Sequence, residues 1–327
     1  MKVTLKKRAF VVTMIMLMLT SIALTSSTFA WFTMADATDV EAMNLTVQSI
    51  DGIQISANAS TWTASLEGED FFGEGFRDDD AYVPDHFAAY ENNNNIYPDV
   101  LTPVSSAFEN ATNGFADFFK APISGGSTTA DIRAITQDKE NPEGFIAFDI
   151  FFKVDNENPD AVQKIYFNTS TFEDVNAEDG TDQNALSALR VAFTPLGTVT
   201  DPSSSTAVTD AIAKKDFVAG NTVSYEVDSL TRSAGATAYG IAAGVQATKY
   251  LNSTGTGVAV SNGVLNAGGN ISGTSVTDQS VDTDKYFELP VGISKVRVYI
   301  WMEGQDVDCL NSIAGSSLVA DLRFTIE

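Results

Sequence analysis

The sequence predicts an all-β fold, a β-sandwich with long irregular insertions, and three observations support this prediction. Lys and Glu are few among the 327 residues, whereas Thr, Ser, Val, Asn and Gly are abundant. Short runs that alternate between apolar and polar residues recur along the chain, and turn residues bound them. One run, residues 145–153, is apolar on both faces, as is typical of a strand covered on both sides inside a sandwich or beneath an insertion.

The start of the chain carries the pattern of an export signal. A basic head at residues 2–8 precedes an apolar run at 10–24, and small residues then lead to Ala30. The run has about 15 residues, fewer than the roughly 20 that a membrane-spanning helix needs, and a retained membrane anchor is the alternative. We expect a signal peptide at residues 1–30, cut by signal peptidase before Trp31.

The expected cleavage defines the mature protein. Residues 31–327 then form a single β-sandwich domain with loop-rich insertions at 66–140 and 200–284, and Ala35 and Ala37 offer alternative cleavage positions. The expected location is secreted, either extracellular or at the cell surface. Contact with a membrane is expected only through an uncleaved signal.

Charge and rare residue types narrow the functional classes. With 19 Lys and Arg against 43 Asp and Glu, the formal net charge is −24, and such a surface repels nucleic acid and anionic membranes. It suits a soluble extracellular protein, a high-salt habitat or a binder of divalent cations. The one cysteine, Cys309, excludes an internal disulfide, and we expect a buried thiol rather than an intermolecular disulfide. The one histidine, His86, excludes a histidine-rich zinc site, and no G-x-S-x-G motif occurs, so we expect no enzyme.

The first patterned segment predicts a β-hairpin. Met43, Leu45 and Val47 share one face of a strand. Residues 51–52 are Asp-Gly, a strong signal for a tight hairpin turn, and residues 53–56 then return with alternating isoleucines. We expect these two strands to pair with each other.

The middle of the chain alternates between excursions and strands. Residues 66–100 are acidic, aromatic and rich in turn residues, which predicts a surface excursion with room for a short helix. Residues 164–167 predict a strand, and residues 185–193 predict a helical turn that ends as a strand. Residues 200–284 are rich in Ser, Thr, Gly, Ala and Val, as in short hairpins or a flexible loop, and we expect an irregular insertion.

Two strongly patterned strands follow. In residues 295–301 the aliphatic side chains share one face, which we expect to lie against the core, while Arg297, Tyr299 and Trp301 share the other. Residues 318–324 alternate in the same way and predict the closing strand. The expected core positions are Val296, Val298, Ile300, Leu318, Ala320, Leu322 and Phe324.

These strands carry a first resemblance. Residues 298–311 and 322–324, with the earlier segments 145–153 and 189–193, are similar to a signature common in secreted proteins of Gram-positive bacteria. No established activity is attached to that signature, so the resemblance supports location and fold only.

The start of the chain resembles the TasA/camelysin family of biofilm-matrix and surface proteins. The resemblance lies in the signal end at 29–33, in residues 36–38 and in the strand at 45–47. It implies a jelly-roll β-sandwich, a dedicated signal peptidase, and fibres in which the N-terminal segment of one subunit completes the sheet of the next. The camelysin name carries a protease activity, which we do not transfer because the metalloprotease motif is absent from the sequence.

The residues behind the expected cleavage site have the properties of a donor strand, because they lack Pro and Gly and carry spaced apolar side chains. A sandwich that lacks one strand offers unpaired N–H and C=O groups and pockets for alternate side chains. The alternative is a disordered tail at 31–42 followed by a hairpin at 43–56 in its own sheet. The candidate donor residues are Trp31, Phe32, Met34, Val40, Met43, Leu45 and Val47.

Two acidic stretches are candidates for chemistry. Residues 155–160, and the set Glu303, Asp306 and Asp308, offer oxygen ligands for calcium, but neither has the spacing of an EF-hand loop. The second set also suits glycoside hydrolysis, which requires a cleft and a fixed separation of two carboxylates. We interpret both as solvated turns and Trp301 as a core or rim residue. No cofactor is therefore expected, with calcium as the alternative.

These observations favour a non-enzymatic structural subunit of an extracellular fibre, or of a surface or biofilm matrix. Its expected partner is another copy of itself, in a head-to-tail homopolymer assembled by N-terminal donor-strand exchange. The first alternative is a monomeric extracellular module that binds a ligand or glycan through residues 66–100. The second is a hydrolase that uses Glu303, Asp306 and Asp308.

Overall fold

The structure is a computed structural model of the chain. The signal peptide expected at residues 1–30 lies outside the part that the structure describes, as do His86, Asp306 and Asp308. The described residues are 40–49, 53–73, 95–98, 100–106, 118–120, 133–135, 144–168, 172–175, 185–216, 222–227, 249–251, 257–259, 264–265, 271–272, 277–278, 286–303, 309 and 316–326.

The described residues are mostly β-strand. They include the helices α1 (Gly68–Phe72) and α2 (Ala207–Ile212) and a 3₁₀ turn at Ala185–Ser187, and no helix among them is long and apolar enough to span a bilayer. The strands are β1 (Val40–Ser49), β2 (Gln54–Ser56), β3 (Ser65–Glu67), β4 (Val100–Leu101), β5 (Ser105–Ser106), β6 (Phe118–Lys120), β7 (Arg133–Ile135), β8 (Phe145–Val154), β9 (Val162–Asn168), β10 (Phe172–Asp174), β11 (Leu189–Val199), β12 (Val223–Glu226), β13 (Lys249–Leu251), β14 (Gly257–Ala259), β15 (Val264–Leu265), β16 (Ile271–Ser272), β17 (Thr277–Asp278), β18 (Tyr286–Pro290), β19 (Gly292–Met302) and β20 (Ser317–Ile326).

Two large sheets pack face to face and confirm the predicted all-β sandwich. The seven-stranded sheet has the order β18-β9-β20-β1-β3, with β10 also beside β20 and β4 also beside β1. The six-stranded sheet has the order β17-β12-β11-β19-β8-β2. Within these two sheets the pairs β1–β20 and β12–β17 are parallel, and the other strand pairs are antiparallel.

The main core lies between the two sheets. The predicted core faces of β19 and β20 are confirmed, since Val298 and Leu322, like their alternate neighbours along each strand, are buried in this cluster. Aromatic side chains interlock across the interface, where the rings of Phe152 and Phe324 lie 5.0 Å apart edge to face. Burial of apolar surface from both sheets is what holds them together, at roughly 25 cal/mol per Å² removed from water.

The six-stranded sheet is also covered on its outer face. The prediction that residues 145–153 are covered on both sides is confirmed, because every residue of β8 except Lys153 is buried. At one end of the outer face, Phe118 stacks on Phe145 with ring centroids 4.0 Å apart. At the other end, Ala207 and Ala211 of α2 pack against the sheet. Insertions therefore supply the second cover.

The predicted hairpin at residues 43–56 is wrong. β1 lies in the seven-stranded sheet and β2 in the six-stranded sheet, so the two strands do not pair with each other. An Asp-Gly pair encodes a reversal of chain direction, but it does not specify that both strands share a sheet. Here Ile55 is fully buried beside β8, on the opposite side of the core from β1, which settles the partner.

The other predicted elements are confirmed where the structure describes them, but the prediction of a surface excursion at residues 66–100 is wrong in part, since Phe72 and Tyr97 are buried. The short helix within 66–100 is α1, the strand at 164–167 is part of β9, and 185–193 forms the 3₁₀ turn followed by β11. Phe71 and Phe72 of α1 are buried in the main core, so these two aromatic residues do not form a surface binding site. Residues 74–94, the rest of that predicted excursion, lie outside the described part.

Candidate assembly interface

The candidate donor segment forms a strand in the middle of the seven-stranded sheet. β1 runs parallel to β20 in the register Asn44↔Val319 to Ser49↔Phe324. On its other side it pairs antiparallel with β3 through Thr46↔Glu67, and with β4 through Val40↔Leu101. β1 is thus inserted between β20 and two short strands. Its partner residues in β20 lie about 275 positions away in sequence, whereas those in β3 lie 17 to 21 positions away.

Three of the seven candidate donor residues lie in the core of their own chain. Met43 and Val47 are fully buried and Leu45 is nearly so, all in the cluster between the sheets. Val40 opens β1, and Trp31, Phe32 and Met34 lie outside the described residues. The segment therefore belongs to the sandwich of its own chain, as the alternative to a donor strand predicted. It does not form the hairpin that this alternative also predicted.

A β-bulge interrupts the pairing between β1 and β20. Glu41 pairs with Ser317 and Asn44 with Val319, so β1 contains one extra residue over this interval. A bulge leaves a backbone group of the longer strand without its ladder partner. At this bulge the carbonyl oxygen of Met43 accepts a hydrogen bond of 3.0 Å from the hydroxyl of Tyr97.

Tyr97 belongs to a segment that we call the strap, residues 95–97, which contacts both sheets. The side chain of Asn95 accepts a bond from the Asp149 N–H (3.0 Å) and donates one to the Phe71 carbonyl (2.8 Å). The backbone of Ile96 exchanges two hydrogen bonds with Ala147 of β8, at 2.7 and 2.9 Å. Sequence reasoning missed the strap because nothing in its local pattern shows that its partners lie 24 to 54 residues away.

The described residues on the outer face of β1, Thr46 and Gln48, are polar and half-buried. The Thr46 hydroxyl donates to the Glu67 carboxylate at 3.1 Å, across to β3. On β20, Arg323 donates through Nε and Nη2 to one oxygen of Asp321, at 2.9 and 2.7 Å. One face of β1 is therefore buried and the other is partly exposed to solvent. Buried and exposed residues alternate in the same way along β20, as is usual in antiparallel sandwiches.

The described outer edges of the two sheets are short or guarded. The backbone of Ile55 in β2 exchanges hydrogen bonds with Thr63 at 3.0 and 2.9 Å, so that edge is closed by the chain itself. β18 ends in Pro290, which has no N–H to donate, and it exposes Glu288. β17 has two residues. These features disfavour strand addition at an edge.

A buried charge cluster on the outer face of the six-stranded sheet was not anticipated from the sequence. Asp149 of β8 accepts a hydrogen bond from Arg297 Nε and lies 2.9 Å from Lys295 Nζ, and all three residues are buried. Burial opposes ionisation of Asp149, but Arg297 and Lys295 outweigh it and hold the pKa of the carboxyl below its ordinary value. The available signal was an aspartate inside the apolar run 145–153, opposite a Lys-x-Arg pattern.

Of the carboxylates considered for chemistry, the structure describes Glu303 and residues 155–160. Glu303 is buried and accepts a hydrogen bond of 3.1 Å from Trp301 Nε1, and Trp301 itself is buried, as expected for a core residue. Residues 155–160 are exposed and include two turns capped by the asparagines at 156 and 158. Among the residues that the structure describes, no group of three His, Cys, Asp or Glu side chains could hold a metal ion. Cys309 is buried, as predicted.

The seven-stranded sheet can hold a strand between β20 and the pair β3 and β4. Backbone hydrogen bonds, apolar pockets and the Tyr97 hydroxyl contact that strand. A scan against protein-family models, a search of curated proteins and a search of solved structures each returned no match for this chain.

Proposed function

We propose that the chain is a secreted structural subunit of an extracellular fibre, or of a surface or biofilm matrix, and that it assembles by donor-strand exchange. In the exchange, β1 leaves its own sheet and takes the same place in a neighbouring subunit. The observation that carries this proposal is the position of β1, a ten-residue strand inserted between β20 and the pair β3 and β4. Its removal would leave unpaired backbone on both sides and empty apolar pockets.

The sequence separation of the partners favours exchange during folding. β1 pairs with β20 about 275 residues later, as the register Leu45↔Ala320 shows. Closing so long a loop is slow and costs chain entropy. A partly folded subunit therefore exposes the groove of β1, which is the place between β20 and the pair β3 and β4, while β1 is still free. A strand from a second subunit can then compete for the groove.

The contacts of β1 are the same whether it is seated in its own chain or in another. Exchange therefore changes only the linkage between β1 and the rest of the chain, and mass action at high protein concentration shifts the balance toward assembly. Because donor and acceptor surfaces differ, each subunit gives one strand and receives one, and the contact propagates head to tail as an open filament. The guarded sheet edges leave the groove of β1 as the best-formed acceptor.

Export, cleavage of the signal and a jelly-roll arrangement, all expected from the sequence, are also part of this proposal. Export and cleavage before Trp31 would leave residues 31–39 ahead of β1, and Trp31, Phe32 and Met34 would lengthen the donor. The jelly-roll arrangement implied by the resemblance belongs to this proposal as well. A structural subunit needs no catalytic residue or cofactor, and its strongly acidic surface does not suit nucleic acid.

A reversible lock on β1 tests the proposal. Gln48 and Ser65 face each other across β1 and β3, so the double variant Gln48→Cys with Ser65→Cys, in a Cys309→Ala background, can form a disulfide. We expect the oxidised, locked monomer to form no fibres in electron micrographs, and the same sample to form them after reduction. Fibres of equal abundance from the oxidised monomer, or monodisperse monomers under all conditions, would contradict the proposal. A matched control, Gln48→Cys with Val162→Cys, places the thiols on strands that do not pair.

A further inference from the structure

We infer that Tyr97 sets the register of β1 in its groove, through the hydrogen bond from its hydroxyl to the Met43 carbonyl. Tyr97 and Met43 belong to the same chain, so this role applies to β1 in its own sheet. Its extension to a donor from another subunit rests on the proposed function. Tyr97 is a positioning residue in this role, and the partner that it selects is a strand with a bulge at the position of Met43.

The apolar pattern of β1 specifies its register incompletely. A shift by one residue would turn Met43, Leu45 and Val47 toward solvent, so that error is strongly disfavoured. A shift by two residues preserves the facing and moves Val47 to the site of Leu45, and Leu45 to the site of Met43. Two of the three buried sites would still hold a similar apolar side chain, so another contact must reject this slip.

The bulge supplies a feature that differs from one register to the next. Along residues 44–49 the ladder to β20 is regular, and any register would satisfy it equally. Between Glu41 and Asn44 the extra residue breaks the repeat, and the hydroxyl of Tyr97 meets the Met43 carbonyl there. After a slip of two residues the bulge and the hydroxyl would no longer coincide, which leaves a buried carbonyl without this bond.

Tyr97 is held firmly enough to act as a fixed reference. Tyr97 is only 2% exposed, and its ring packs on that of Phe72 with the two centroids 4.9 Å apart. The preceding residues of the strap are fixed to β8 by the bonds of Asn95 to Asp149 and of Ile96 to Ala147. The hydroxyl is therefore positioned by contacts with β8 and α1, neither of which is part of the strand whose register it sets.

Disulfide trapping in the purified chain tests this role. In a Cys309→Ala background, Gln48→Cys with Ser65→Cys reports the native register, because these residues oppose each other. Two further pairs report a slip of two residues in either direction: Thr46→Cys with Ser65→Cys, and Gln48→Cys with Glu67→Cys. Disulfides form only between closely opposed positions. We expect Tyr97→Phe to raise the ratio of slipped to native disulfide at least about fivefold, the factor that corresponds to one lost hydrogen bond.

The control variant is Tyr225→Phe, which removes a hydroxyl from another fully buried tyrosine, on β12 of the opposite sheet. It should leave the ratio unchanged even if it lowers overall stability. An unchanged ratio in Tyr97→Phe would overturn the inference. So would equal trapping of slipped and native pairs in the chain with Tyr97 intact, a measurement that needs no variant of Tyr97 to fold. Trapping within dilute monomers reports register alone, so a failure of fibre assembly would not affect the result.

Discussion

The two sheets of the sandwich differ in how completely they are buried. The six-stranded sheet is covered on both faces, and its outer face even encloses the ion cluster of Asp149, Lys295 and Arg297. The seven-stranded sheet is covered on one face, and its outer face carries solvent-accessible groups such as the pair Asp321 and Arg323. A strand of the first sheet cannot leave without exposing two faces, whereas β1 of the second exposes one. Of these strands, β1 is therefore the one whose departure would expose less apolar surface, which is what the proposed exchange requires.

The charge at the centre of the covered sheet gives the largest expected effect. Asp149→Asn would leave Arg297 and Lys295 buried without their counter-charge, and loss of one partner from a buried ion pair costs about 3–5 kcal/mol. Urea denaturation at neutral pH measures this loss. Stability within about 1 kcal/mol of the parent would show that the covered face is more open to water than its burial indicates.

A glycine at the start of β19 gives the next effect. Gly292 has φ of +123°, and a Cβ added there would clash with the Val199 carbonyl oxygen. Gly292→Ala should therefore destabilise the six-stranded sheet by about 2–3 kcal/mol, since the backbone must shift as well as adopt an unfavourable φ. Thermal melting checks this value, and Ala161→Gly, at a half-buried site where neither constraint applies, is the comparison variant. An unchanged melting temperature for Gly292→Ala would contradict the prediction.

Hydrogen exchange compares the two sheets directly. If β1 opens without global unfolding, the amides of Leu45 and Val47 should exchange at least about 10-fold faster than those of Val298 and Ile300 in β19. Mass spectrometry or NMR on dilute monomer gives both rates in one sample. Equal protection in β1 and β19 would mean that the sandwich opens as one unit, and that β1 has no separate route out of its sheet.

The ion cluster also predicts a pH dependence of smaller size. The folded-state pKa of Asp149 lies below its ordinary value of 3.8, so the stabilisation from this group is present above that value and is lost as the pH falls through the folded-state pKa. The stability difference between the parent and Asp149→Asn should therefore be constant from pH 7 to about 5 and shrink below pH 3.8. A difference that stays constant to pH 2 would contradict this assignment.

The half-exposed pair on the other sheet gives the smallest effect. Arg323 is 42% exposed and Asp321 is 19% exposed, and such pairs contribute about 0–1 kcal/mol because solvent screens them. Asp321→Asn should thus change the urea midpoint far less than Asp149→Asn does. A comparable loss would remove the contrast between the two sheets.

The sequence was sufficient where the deciding information is local. Alternation along β19 and β20 identified the faces that lie against the main core, because a strand repeats every two residues whatever its neighbours are. The continuous apolar run of β8 in turn predicted cover on both faces. The partner of β1 was not predictable in this way, since the Asp-Gly at 51–52 signals a reversal and says nothing of which sheet receives the next strand. The burial of Arg297 was likewise hidden, because it depends on a cover supplied by remote insertions and on Asp149.

The candidate site was predicted only in part for the same reason. Met43, Leu45 and Val47 were recognised as one apolar face, and that face is buried. The bulge before Asn44 and the role of Tyr97 depend on contacts across 54 residues of sequence, and neither has a periodic signal. Trp31, Phe32 and Met34 stay predictions.

Mixing two single-cysteine chains tests the exchange of β1 most directly. One chain carries Gln48→Cys, and the other carries Ser65→Cys and a size tag, both with Cys309→Ala. Since these positions face each other across β1 and β3, a disulfide between the two chains forms only if β1 of one lies in the sheet of the other. We predict that refolding the chains together at high concentration yields this heterodimer well above the level seen with Gln48→Cys and Val162→Cys. Heterodimer at that control level, with each chain folded and monomeric, would contradict the exchange of β1.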